Sequence, residues 1–224
     1  MQNFEAIRNR LLRSSAAAVV MLIGGVTVKA ATLTGYDAGT NGNFFAQPIP
    51  DGTETVGETF QVQQDSLASS ADAYISVTAG TTAGITLSLY ATTPSLYNGP
   101  QPTGPALTSV TDPSSDVNSS FIEYIPFDFT TSVPLVADTT YAIVLTSQAT
   151  DGNYDWYGDQ LSYGNPSPYA YGNWIAQSAP GQQWAQQSSS AMGFHIYGSA
   201  VVPEPASIGL LGIIGAAVLA RRRR

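Results

Sequence analysis

Between Ala31 and Val202 the chain contains no lysine and no arginine. All 8 basic residues of the 224-residue sequence lie outside that stretch: Arg8, Arg10, Arg13 and Lys29 before it, Arg221, Arg222, Arg223 and Arg224 after it. Of the 16 acidic residues only Glu5 and Glu204 fall outside, so the middle carries a net charge of −14. No Lys or Arg salt bridge can form there, and the chain has no cysteine for a disulfide or a thiolate metal site. A fold in this stretch must rest on apolar burial and hydrogen bonds. The same charge repels nucleic acid and anionic lipid surfaces, which excludes those partners for the domain. The acids are spread along the stretch, as on a solvated surface rather than in an acidic tail.

The apolar pattern of the middle has period two. "VGETFQVQ" sets Val56, Glu58, Phe60 and Val62 in step, and "GITLSLYA" does so for Ile85, Leu87 and Leu89. "FIEYIPFDF" aligns Phe121, Glu123, Ile125, Phe127 and Phe129; "TTYAIVLTS" aligns Tyr141, Ile143 and Leu145; "AMGFHIYGS" aligns Met192, Phe194 and Ile196. No window has a helical period. Short alternating runs between Gly, Pro, Asn, Asp and Ser clusters predict an all-β fold. The expected form is an antiparallel β-sandwich with jelly-roll-like connections over 31–200, its core including Phe60, Leu87, Leu89, Ile143 and Leu145. Two Pro/Gly-rich segments, "ATTPSLYNGPQPTGPALTSVTDPSSD" and "YGNPSPYAYGNW", are expected to be long loops.

Both ends are of another kind. Residues 1–30 join a positive start (Arg8, Arg10, Arg13), an apolar run from Ala16 to Val28, and a cleavage site between Ala30 and Ala31. That is the pattern of a secretory signal peptide with a signal helix. Residues 201–224 hold Pro203, Glu204 and Pro205 and then a second apolar run. Its apolar residues include Ile208, Leu210, Leu211, Ile213, Ile214, Val218 and Leu219. The run ends in Arg221–Arg224. As a helix, Ile208–Ala220 would cover roughly 20 Å of a hydrocarbon core about 30 Å thick, a short transmembrane helix with its arginines held cytoplasmic.

Val202-Pro203-Glu204-Pro205-Ala206, the apolar run and the arginine cluster together resemble the PEP-CTERM sorting signal of Gram-negative bacteria. The resemblance implies recognition by an exosortase (a membrane cysteine transpeptidase or protease) and removal of the tail. It also implies passage through the export machinery and transiently the inner membrane, then a place at the cell surface or in an extracellular, exopolysaccharide-rich biofilm matrix. A Leu-Pro-x-Thr-Gly sortase motif is absent. The order of strand-like runs in the middle, carried by Phe60, Leu89-Tyr90, Leu135, Thr140-Tyr141, Leu145, Tyr154, Trp156 and Trp174, is similar to the choice-of-anchor R type of domain. That likeness implies a surface domain with interchangeable anchors and brings no catalytic residues.

The residues themselves offer three constellations. His195, the single histidine, lies between Phe194 and Ile196 on the opposite face of a strand, an outward or edge position with no nucleophile beside it in sequence. Glu54, Glu58 and Glu123 are the glutamates of the middle; a glycosidase would need a carboxylate pair at defined separation, which spacing alone does not select. Asp151, Asn153 and Asp155 alternate like the start of a calcium loop, but Trp156 and Ser162 stand where an EF-hand needs Gly and Glu. The choice there is between a hairpin turn and a looser calcium site, and no other cofactor is expected.

All three tryptophans, Trp156, Trp174 and Trp184, sit in one Tyr-rich region. They serve either as core or as a platform for stacking on sugar rings. Three functions remain open: an exported, non-enzymatic matrix or surface protein; a carbohydrate-binding module using exposed Trp and Tyr; and a glycan-active hydrolase.

Overall fold

The computed structural model describes residues 30–39, 43–49, 54–95, 99–117, 119–150, 153–161, 166–179, 181–187 and 189–201. The expected signal helix and C-terminal transmembrane helix lie outside the described residues. Among those described, no helix is long and apolar enough to cross a membrane. They form thirteen strands and a single 3-10 turn, Ser114–Asp116. The strands are β1 (Ala31–Tyr36), β2 (Asn43–Ile49), β3 (Thr55–Gln61), β4 (Ser66–Val77), β5 (Ile85–Thr93), β6 (Gln101–Asp112), β7 (Glu123–Leu135), β8 (Thr140–Ser147), β9 (Tyr154–Gln160), β10 (Trp174–Gln177), β11 (Ala185–Gln187), β12 (Ser190–Met192) and β13 (Phe194–Ala200).

Every pairing is antiparallel. One sheet has seven strands: β1, β13 and β4 in order, β7 on the far side of β4, and β9 continuing from β4 with β2 and β12 on its edges. The other has six, in the order β11-β10-β3-β8-β5-β6. Eight strands alone give β1-β13-β4-β7 over β3-β8-β5-β6, the strand order of a jelly roll. To this frame β2 and β9–β12 are additions.

The alternation drives the burial. Phe60, Leu87, Leu89, Ile143 and Leu145 are fully buried between the sheets, with Ile125, Phe127, Met192, Phe194 and Ile196. Phe121 departs from the expected register: it precedes β7 and is exposed. The first long loop is also revised, because Gln101–Asp112 within it form β6, paired to β5. Pro102 and Pro105 are tolerated there because β6 is an edge strand, where a missing N–H breaks no inner ladder. Proline and glycine mask such a strand in the sequence. In the second segment, the described residues 166–173 are irregular and β10 begins at Trp174. From it Tyr169 turns inward, its ring centroid 5.5 Å from that of Phe194 and its hydroxyl 2.5 Å from Thr34 Oγ1.

Gly193 joins β12 to β13 where the strands of the larger sheet fork. Its N–H donates to Tyr157 O, and its carbonyl accepts from Tyr74 N and from Trp156 Nε1. A Cβ at this position would lie 2.9 Å from both Ala38 Cβ and Tyr74 Cβ, so only glycine fits the junction.

Candidate functional site: an aromatic band on the outer face

The inner positions of the larger sheet are filled by core residues, and the alternate positions face outward. On β4 the outward residues are Asp72, Tyr74 and Ser76; on β13, His195 and Tyr197; on β9, Tyr157. Antiparallel register sets Asp72 opposite His195 and Tyr74 opposite Tyr124 of β7. The result is a band of six rings. Phe44 stacks on Tyr157 at 5.3 Å, and Tyr157 meets Tyr74 edge-on at 6.2 Å. Tyr74 stacks on Tyr124 at 4.7 Å, Tyr124 lies 4.7 Å from His195, and His195 lies 5.9 Å from Tyr197. Phe44, at the β2 end, is 47% exposed, and the other rings are half-buried.

Polar groups line the band. His195 Nδ1 is 2.9 Å from Asp72 Oδ1, and its Nε2 is 3.1 Å from Asp37 Oδ1. Tyr197 donates its hydroxyl to Asp72 Oδ2 at 2.7 Å, and Tyr124 its own to Asp37 Oδ1 at 3.4 Å. Tyr157 and Ser76 share a hydroxyl contact of 3.1 Å. Burial works against the imidazolium, but Asp72 and then Asp37 outweigh it and hold the ring's pKa above its ordinary value. Burial and the Asp72 bond push the Tyr197 hydroxyl up to about 12. Both ring nitrogens of His195 thus face carboxylates. The unit is an imidazole clamped between two acids that favour its protonated form, which differs from a base aimed at a nucleophile.

The glutamates do not pair. Glu123 is exposed at the start of β7, and Glu54 precedes β3 at a half-buried position. Glu58 is wholly buried on β3, where the pattern placed it in step with Val56 and Phe60. Desolvation pushes its carboxyl well above the usual carboxylate range, against the lowering effect of the Met192 N–H that donates to Oε2 at 3.0 Å. Among the described residues Glu58 Oε1, Trp174 Nε1 and Ser190 Oγ are buried without a hydrogen-bond partner.

The tryptophans do not form one platform. Trp156 is fully buried and donates to Gly193 O at 2.8 Å, so its ring cannot reach a polymer. Trp174 is half-buried against the core, 5.7 Å from Phe45. Trp184 is half-buried before β11. Of the calcium candidates, Asp151 lies outside the described residues. Asn153 uses its carbonyl to accept from Thr78 N, and Asp155 is half-buried on β9 with its carboxyl pushed up by desolvation. Among the described residues no three His, Asp or Glu side chains are grouped to hold a metal ion. A groove of about 720 Å³ runs between β1 and the 169–171 segment, lined by Thr34, Gln63, Gln64, Tyr169 and Tyr171 among others, with no carboxylate or histidine.

Sequence reasoning missed the band. Its members come from β2, β4, β7, β9 and β13, and the usable signal was the aromatic residue at the polar phase of each alternating strand.

The strand that closes the domain, β13, ends at Ala200. Residues 201–224 match the PEP-CTERM protein-sorting motif. The motif implies an exported, cell-surface protein with an exosortase as its processing partner. No curated protein matches the chain. The sorting motif therefore begins directly after the last strand, and β1 begins at Ala31, the residue expected to come after the signal cleavage site. Both ends of the domain leave from neighbouring strands on one side, since Ala31 pairs with Gly198.

Proposed function

We propose that the chain is a non-enzymatic protein of the cell surface or extracellular matrix, exported through the inner membrane, sorted by an exosortase and associated there with exopolysaccharide. The PEP-CTERM motif abutting β13 is the observation that carries this reading. The likeness to choice-of-anchor R domains, with exchangeable anchors and no catalytic set, is in keeping with it. With β1 and β13 side by side, a signal segment and a sorting tail would hold the sandwich to the membrane by a single edge, leaving the rest of the domain free of it. The intact mass of protein recovered from the cell exterior tests the reading. A mass lacking residues 1–30 and the tail supports it; exterior protein still carrying Arg221–Arg224 would instead make the tail a plain anchor.

A carbohydrate-binding role is the second reading, favoured by one observation: outward, mostly half-buried rings interleaved with hydroxyls and carboxylates on the outer face. A hydrolase reading has less to build on, because Glu58 is sealed in the core and His195 is engaged on both nitrogens.

A further inference from the structure

The sorting motif begins while the chain is still part of the larger sheet. Val201, its first residue, lies just past β13, yet its N–H donates to Asp65 O at 2.7 Å and prolongs the ladder with β4 by one step. Pro203 follows two residues later and Pro205 four. At no more than about 3.6 Å per residue, these prolines lie within roughly 7 and 14 Å of Val201. A folded enzyme that grips Pro203-Glu204-Pro205 therefore brings its own surface against the rim of the sandwich from which Val201 emerges. The bilayer is under no such constraint, because residues 201–207 can reach roughly 25 Å before the apolar run begins at Ile208.

The rim at this point is apolar. β4 runs between β7 and β13, and near its start Leu67 is opposite Pro134 of β7 and Ser199 of β13 on the outer face. Nearer the rim, Asp65 ties three segments together: its carbonyl accepts the Val201 N–H, and its Oδ1 accepts the Ala137 N–H at 2.9 Å. Leu67, Val136 and Val201 surround Asp65 and are 40%, 56% and 49% exposed, and Pro134 is exposed beside them. Single exposed apolar residues are ordinary, but a group of them beside a point of enforced contact marks an interaction surface. The −14 charge of the domain disfavours an anionic lipid surface as the occupant.

We propose that the patch of Leu67, Pro134, Val136 and Val201 is a docking surface for the exosortase, which reads the rim of the folded domain together with the Pro-Glu-Pro motif. This docking rests on the sorting reading above, and it makes the folded domain part of what the enzyme recognises.

The test follows tail removal from the full chain, by pulse-labelling and intact mass, in cells that export it alongside an exosortase. Leu67→Ser and Val136→Ser together should slow removal about 3- to 10-fold. Both side chains are exposed, and circular dichroism of the purified variant checks that the sandwich is intact. An insertion of roughly ten Gly and Ser residues between Val201 and Val202 lets the motif reach the enzyme without the rim. In that longer chain the same two substitutions should leave the rate unchanged. Equal rates for the parent and a folded double variant would overturn the proposal, as would faster removal in the variant. A slowing that persists in the longer chain would also overturn it, by assigning the effect to export or folding. A parent whose tail is never removed would sink the sorting reading itself, a result distinct from removal that ignores the patch.

Discussion

His195 and Asp72, separated by 123 positions, face each other across β13 and β4 with Nδ1 2.9 Å from Oδ1. The chain's single histidine is thereby tied to an acid at the centre of the outer face. Asp37 and Tyr124 close over the same ring from the β1–β2 turn and from β7, and Tyr197 shares Asp72.

This pairing predicts a pH dependence of stability. The folded pKa of His195 is raised, so its contribution is fully present below the ordinary value of 6.5 and is lost as pH rises through the folded value. Melting temperature should fall as pH rises above about 6.5 through the folded value, and His195→Gln should flatten that part of the profile. An unchanged slope in the variant would assign the dependence to other groups.

Glu58 acts in a lower window with the same sign. Its folded pKa is raised, so the native state holds a proton that the unfolded chain releases above about 4.5, and stability falls as pH rises from there towards the folded value. Glu58→Gln keeps an acceptor for Met192 N–H and removes the charge. It should raise the melting temperature at pH 8 and change it little at pH 4. Thermal melts at both values check this, and equal effects at the two would contradict it.

Trp156→Ala should cost about 3–5 kcal/mol, since it empties a fully buried site and leaves Gly193 O short of a donor. Trp184→Ala, at a half-buried position before a short edge strand, should cost about 1 kcal/mol or less. Urea denaturation of the two variants separates the roles.

Gly193→Ala should destabilise strongly, because its Cβ would press on Ala38 and Tyr74 where β12, β13, β4 and β9 meet. The expected sign is loss of cooperative unfolding or a loss of at least ~2 kcal/mol, in line with overpacked sites. A variant as stable as the parent would mean that the fork relaxes freely.

A chain cut before Ala31 and within Pro203–Ser207 contains no Lys or Arg. Trypsin should leave it whole even in urea, while the uncut chain should lose only its ends. Mass spectrometry after digestion in denaturant distinguishes the two, and internal tryptic fragments from residues 31–202 would refute the expectation.

Much was legible in the chain itself. Period-two alternation marks Phe60, Leu87, Ile143 and Ile196 as inward because a strand turns successive side chains to opposite faces whatever its neighbours are. The distribution of Lys and Arg, and the Pro-Glu-Pro tail, are covalent facts that need no fold. Strands broken by proline, such as β6, stayed hidden because their ladder partner, and not their own pattern, makes them strands. The fate of Trp156 and of Glu58 was also open: alternation names a phase but leaves open which phase faces inward when its residues are polar or amphipathic. The aromatic band belongs wholly to tertiary structure. Phe44, Tyr74, Tyr124, Tyr157 and His195 are scattered along the sequence, and only long-range antiparallel register, set by burial of the opposite face, brings them together on one face.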